Sequence, residues 1–378
     1  MSDATLGAAT PVTRCRGCGS DDLASVLDLG PQPACDHFPP ADDPGPDPRW
    51  PLGLLLCGEC ALLQLDHDSP APEEPLAVES ATLQRHAVEV IDRLLDRLDL
   101  PKSWTYREFA SHHGGSWTAA LDAHGGVAVE GGAALVIDNQ SIIHADDLEP
   151  ELAQRVAALG DDGLLVIEFH HALRQLLDAQ FDTVRHGHPL YFSLHSWSAA
   201  CARHGLTVVD AWEEDVFGGC LVVVARRTEH APAHPSGDVE RILAAERAAL
   251  ATTPTGYESL AARARAATDG LRDLLEEEAA GRSVAAYGAG SKAVTFLNVA
   301  GIGADLVPLV ADLSPGKQGR RLPGAHIRIV SPEELVAAAP DVVAVLTWDI
   351  APEVVGSLRD RGLHARFVVP LPTLTDVD

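Results

Sequence analysis

The sequence predicts an α/β protein: a small metal-stapled cap followed by two domains built on mostly parallel sheets. Three observations carry this. Two Cys-x-x-Cys pairs stand near the N-terminus, at Cys15 and Cys18 and at Cys57 and Cys60. Short apolar runs then alternate with stretches of helical periodicity, the pattern of strands joined by helical crossovers. Ser283-Val-Ala-Ala-Tyr-Gly-Ala-Gly-Ser-Lys292 reads as a strand, a glycine turn and the start of a helix. The implied divisions are residues 1–70, 71–230 and 231–378.

In the cap, each cysteine knuckle can present two thiolates to one face of a tetrahedron. Four thiolates close the shell of a structural Zn2+ and leave no open position for catalysis. Cys35 lies between the pairs and is expected to be a small buried apolar residue, not a ligand. Pro31, Pro33, Pro39, Pro40, Pro44, Pro46 and Pro48 predict little regular structure between the knuckles. Leu52–Cys57 and Ala61–Leu65 read as short strands.

After a linker at Pro70–Pro75, Thr82–Leu98 has apolar residues at helical spacing. Ala133–Asp138 and Gly163–Glu168 read as buried strands with a helix over 148–159 between them. A helix over 171–179 precedes the late strands Leu206–Ala211 and Cys220–Ala225. Residues 229–240 form a polar boundary, and 238–280 is helical with a break near Pro254. Strands follow at Ser283–Tyr287, Leu306–Val310, Ile327–Val330, Val342–Leu346 and Arg366–Val369.

A hydrophobic content of 46% with 22% charged residues is that of a soluble globular chain. No apolar run reaches membrane-span length and the first residues lack a signal-peptide core, so the expected location is cytoplasmic. The net charge of −27 excludes nucleic acid as a partner, since phosphates need clustered Lys and Arg.

The chemistry is expected in Phe181-Asp-Thr-Val-Arg-His-Gly-His-Pro-Leu-Tyr-Phe-Ser-Leu194. Alternation in an extended segment places His186 and His188 on the same side. With Arg185 and Tyr191 nearby, such rings can take up a proton, pass it on and hold an oxyanion near neutral pH. The turn at Gly288 and Gly290 lacks the third glycine of a dinucleotide fingerprint and the spacing of a Walker loop. It therefore disfavours NAD binding and NTP hydrolysis. Lys292 remains placed to meet a diphosphate, and Ser314-Pro-Gly-Lys-Gln-Gly-Arg320 adds donors in the next βα loop.

Taken together, the paired knuckles, the 181–194 stretch, Tyr287-Gly-Ala-Gly-Ser-Lys292, Asp312, Ser314 to Arg320 and Leu322-Pro-Gly324 resemble the sugar C-methyltransferases of antibiotic deoxysugar pathways. The likeness covers nearly the whole chain. It implies a zinc-binding N-terminal domain, an AdoMet-binding Rossmann-like methyltransferase domain and a related C-terminal Rossmann-like αβα domain. The implied reaction is methylation of carbon 3 in a nucleotide-linked 4-keto-6-deoxysugar. By resemblance His188 is the base, His186 its companion, and His144 a third member of the site. Tyr191, Tyr287, Gly288, Gly290, Ser291, Lys292, Asp312, Ser314, Lys317 and Gln318 become the expected substrate and nucleotide positions.

The chain also departs from that family. Where the family has Tyr-His-Glu-His, this chain has Arg185-His-Gly187-His188, losing a carboxylate and gaining a fixed cation. The first AdoMet motif falls on Tyr106–Gly115, with His112-His113 in place of Asn-Asp. Glu108, Gly114 and Glu130 are the positions left to hold AdoMet. Only 26 residues separate Glu108 from Leu135, too few for three crossovers when one βαβ unit takes roughly 30. The middle domain is thus expected to be truncated and not to bind AdoMet. What remains is an enolising enzyme acting on a small keto compound, nucleotide-linked or not. A histidine removes the proton beside the carbonyl and neighbouring donors hold the enolate. Epimerisation, isomerisation, cyclisation or elimination would follow. AdoMet-dependent C-methylation and a catalytically inactive partner protein are the alternatives.

Overall fold

A computed structural model describes residues 6–377, apart from 75, 77, 79, 99, 101, 102 and 112–114. Between the cysteine knuckles it is more regular than the prolines predict. Leu23–Pro33 is a strand of 11 residues, paired antiparallel with Arg49–Cys57. It forms the edge of a four-stranded sheet whose order is Leu190–Tyr191, Leu63–Leu65, Arg49–Cys57, Leu23–Pro33. An edge strand needs hydrogen-bond donors on one side only, so it tolerates Pro31 and Pro33. The register slips between Asp28 and Pro31, where Gly30 adopts a left-handed φ of 68°. The Leu190–Tyr191 strand comes from mid-chain, directly after the histidine stretch, and stitches that stretch to the cap.

The middle sheet has the order Gly126–Ala128, Trp104–Phe109, Ala133–Asn139, Leu159–His170, Cys220–Arg227, Leu206–Glu214. The first four strands run parallel and the last two form an antiparallel edge. Between Trp104–Phe109 and Ala133–Asn139 the described residues form one short helix, Thr118–Ala123, and the brief Gly126–Ala128 strand. Because Gly126–Ala128 and Ala133–Asn139 both run parallel to Trp104–Phe109, the short spacing carries two compact crossovers, one through that helix and one through residues 129–132. Helix Ala81–Arg97 covers one face: Ser80 caps its start by accepting from the Leu83 N–H, and Val90, Ile91 and Leu94 form its buried stripe.

Helices Gly237–Ala248 and Leu260–Ala279 lead into the last sheet, with Pro254 opening a short turn between them. Its order is Arg328–Val330, Leu309–Ala311, Val284–Tyr287, Val342–Val345, Arg366–Val369, Thr375–Asp376, parallel except for the final strand. In such doubly wound sheets a crevice opens at the carboxyl ends where the strand order reverses. Here those points lie between Val284–Tyr287 and Val342–Val345, and between Trp104–Phe109 and Ala133–Asn139.

The cap is wedged between both domains. One apolar core joins its Phe38, Leu52 and Leu54 to Leu271, Val294 and Phe296; another joins Cys15, Cys57 and Leu62 to Leu148 and Trp197. Buried Arg321 donates to both oxygens of Asp47, at 2.7 and 2.9 Å, and locks the cap to the C-terminal domain. No helix among the described residues is long and apolar enough to cross a membrane.

Candidate functional site

The four knuckle cysteines converge. Their sulfurs all lie within 4.8 Å of one another, with Cys15 to Cys60 and Cys18 to Cys57 each at 3.5 Å. Thiolates about 2.3 Å from one tetrahedral Zn2+ stand at nearly this spacing, so the donor set fits a closed structural zinc site. Cys35 is buried outside the cluster, and burial pushes its thiol above the usual range.

A separate cavity of about 240 Å³ lies where the two sheet crevices meet. The middle sheet contributes Asn139, Gln140, Glu168 and His170, and the helix Ala81–Arg97 contributes His86. Asp36 comes from the cap, Arg185 and His188 from the histidine stretch, and Gly290, Ser291, Lys292 and Lys317 from the C-terminal domain.

His188 Nε2 is 2.7 Å from Nη2 of Arg185. A guanidinium only donates, so this nitrogen accepts and a neutral His188 carries its proton on Nδ1. Arg185 is itself ion-paired with Asp36. The His188 ring meets His144 edge-on at 4.5 Å between centroids and lies 6.2 Å from His170. His170 stacks on Phe217 at 5.4 Å. Burial, reinforced by the charge of Lys292, pushes its pKa down to about 3, so it is neutral at physiological pH.

His186 does not join this group. Gly187 takes a left-handed φ of 85°, so the segment turns instead of extending and the expected alternation is lost. The His186 Nε2 donates to the Pro51 carbonyl at 3.1 Å and the ring packs against Trp50. Burial lowers its pKa, in keeping with a neutral structural ring. A Cβ on Gly187 would stand 1.2 Å from Oε1 of Glu73. The glycine thus makes room for a carboxylate from the linker. Tyr191 is buried behind the turn, its hydroxyl accepting from the Arg185 N–H at 3.1 Å.

Residues 15–74 match a family described as a zinc binding domain, and residues 215–372 one described as a C-methyltransferase C-terminal domain. C-methyltransferase NovU of Streptomyces niveus is 30% identical over 96% of this chain and 96% of its own. The chain belongs to the C-methyltransferase family. That alignment spans 412 residues against the 378 here, so the relative carries residues this family member lacks. Among solved structures, a Burkholderia thailandensis 1,6-didemethyltoxoflavin-N1-methyltransferase is 17% identical. It covers 39% of this chain and 78% of its own at a TM-score of 0.29. The neocarzinostatin O-methyltransferase NcsB1 is 18% identical over 39% of this chain and 56% of its own, at 0.30.

Against this family background, the AdoMet positions are engaged elsewhere. The Glu108 carboxylate accepts from Ser116 Oγ, Thr118 Oγ1 and the Trp117 N–H, each at 2.6 Å, capping the short helix that follows it. Glu130 pairs with Arg107 and is 90% exposed. Neither lines the cavity. Gly114, like His112 and His113, lies outside the described residues. From the same stretch, Ser111 and Gly115 line the cavity.

Of the expected nucleotide positions, Gly290, Ser291, Lys292 and Lys317 line the cavity and the others do not. Tyr287 is packed in the core of the last sheet. Gly288 has a φ of 96° and abuts Thr347. Asp312 accepts from the N–H groups of Ala289 and Ser314, both at 2.8 Å. Ser314 Oγ donates to the Leu76 carbonyl, and Gln318 to the Asp312 carbonyl.

Sequence reasoning missed the pair His86 and Glu168, whose Nε2 and Oε1 are 2.6 Å apart. Gln140, held at a φ of 55°, donates to the second carboxylate oxygen at 3.0 Å. Burial opposes charge on His86, but the hydrogen bond and charge of Glu168 outweigh it and raise the pKa. Two signals were present. His86 interrupts the apolar stripe of its helix, and Glu168 and His170 stand two apart at the carboxyl end of a buried strand.

Proposed function

We propose that this C-methyltransferase-family enzyme removes the proton beside a carbonyl in a keto substrate and returns a proton to the enolate. The observation that carries the reading is one cavity in which His188 Nε2 accepts from Arg185 while Glu168 raises the pKa of His86. A ring nitrogen that accepts a hydrogen bond can take a proton, and a ring whose charged form a carboxylate favours can give one.

His188 is the base. The Arg185 guanidinium, which donates to Nε2 in the free protein, shifts to the enolate oxygen as charge develops there and frees the nitrogen for the proton. Protonated His86 delivers the replacing proton, and exchange with solvent restores both rings. Return to the same carbon gives epimerisation, and to another carbon isomerisation. The prior engagement of Glu108 and Glu130 and the shortened crossover segment support a route without a methyl donor.

AdoMet-dependent C-methylation is the second reading, favoured by family membership. Calorimetric titration of the zinc-loaded protein with AdoMet and S-adenosylhomocysteine separates them. No binding is expected; micromolar binding of either would overturn the proposal and return the chain to methyl transfer.

A further inference from the structure

We propose that protons leave His188 by way of His144 into a second cavity, and that Glu73 is the carboxylate that hands them to water there. This deepens the proton-transfer reading and rests on it, since a base that turns over must shed each proton it takes.

Glu73 is brought to the histidine stretch by the shape of one turn. Residues 185–188 close on a hydrogen bond from the His188 N–H to the Arg185 carbonyl at 3.3 Å, with Gly187 at a left-handed φ of 85°. The space that a Cβ of Gly187 would take is filled by the Glu73 carboxylate, whose Oε1 and Cδ overlap that position. The carboxylate therefore lies on the backbone one residue before the base. Partial burial pushes its pKa up, which brings it nearer to the range of an imidazole and makes exchange between the two easier.

A second cavity, of about 250 Å³, opens beside this turn, and Glu73 and Gly187 both line it. His144 lines this cavity and also the one that holds His188. Its ring meets the His188 ring edge-on at 4.5 Å between centroids. Other charged groups of the second cavity are joined to one another: Arg16 pairs with Asp68 and donates to the Asp146 carbonyl. Glu73 instead lies on the turn itself.

The charged ring formed when His188 takes the substrate proton sheds a proton to His144. A neutral imidazole accepts on one nitrogen and releases from the other, so His144 can pass the proton through the wall that the two cavities share. Glu73 takes it there and gives it to water. One proton moves at each stage, and no electrons are exchanged.

The test is heteronuclear NMR on the zinc-loaded full chain, isotopically labelled at histidine, with His144→Gln and His188→Gln to assign the rings. It reads the exchange of the His188 ring proton with water. Glu73→Gln, which keeps the shape and removes the carboxylate, is expected to slow that exchange by about tenfold or more. Glu73→Ala should slow it as well, and added acetate should restore it by entering the vacated space. Unaltered exchange in both folded variants would overturn the path, as would acetate that speeds exchange equally in the unaltered chain. The same spectra report ring charge. A neutral His188 with unaltered exchange sinks the path alone; a His188 charged at neutral pH sinks the proton-transfer reading and the path with it.

Discussion

Replacing Glu168 by Gln should lower the pKa of His86 and reverse its response to pH. Glu168 is 1% exposed on its side chain, and its oxygen lies 2.6 Å from the imidazole nitrogen. Burial alone would drive His86 below its ordinary value; the carboxylate overrides this. Gln preserves shape and one hydrogen bond but removes the charge. A hydrogen bond to a charged group contributes about 1.5–3 kcal/mol, and losing it lets burial bring the His86 pKa down. Because the native pKa is raised, the pair's stabilisation is complete below the unfolded histidine value. It is lost as pH rises through the folded one. The unaltered protein should therefore lose more stability than Glu168→Gln between mildly acid and alkaline solution. Ring-proton NMR titration, with His86→Gln to assign the resonance, reads the pKa, and urea unfolding at each pH reads the stability. An unchanged His86 pKa in folded Glu168→Gln would refute the coupling and remove His86 as the proton donor.

Other perturbations follow from the same structure. Gly187→Ala puts a Cβ into the Glu73 carboxylate at a left-handed φ and should cost about 1–3 kcal/mol of stability. Adding Glu73→Ala should recover only the steric part, and urea unfolding of both variants and their combination would expose a mistaken account if the single change were neutral. Arg321→Ala leaves Asp47 buried without its partner and should lower unfolding stability by about 3–5 kcal/mol; a loss near zero would mean that the cap is held by its apolar core alone. Removing zinc with a chelator should unfold the cap and loosen the core it shares with the middle domain. Near-ultraviolet circular dichroism, followed alongside metal content, should change in step with zinc loss, and a fully stripped protein with an unaltered spectrum would contradict this.

The parts of the fold legible in the sequence were those written at short range. The cysteine knuckles, the helical stripe ending in Val90, Ile91 and Leu94, and the strand-turn-helix around Gly290 all depend on neighbours a few residues apart. The edge strand Leu23–Pro33 was not legible, because whether its prolines are tolerated depends on which side of the strand has a partner. His186 was misplaced for a comparable reason. The sequence shows Gly187 but not its left-handed φ, and that one dihedral turns the two imidazoles apart.

The sequence by itself determined the cysteine cluster and the three-part α/β order, since each follows from local spacing or from motif likeness. Only the tertiary structure decided what surrounds His188. His86 and Glu168 are 82 positions apart and Lys292 and Asp349 are 57 apart, while Asp36 arrives from the cap. No local pattern encodes those pairings. They arise because two shared apolar cores press the cap against both sheets and bring their crevices onto one cavity. That juxtaposition sets which carboxylate faces His86 and which guanidinium faces His188.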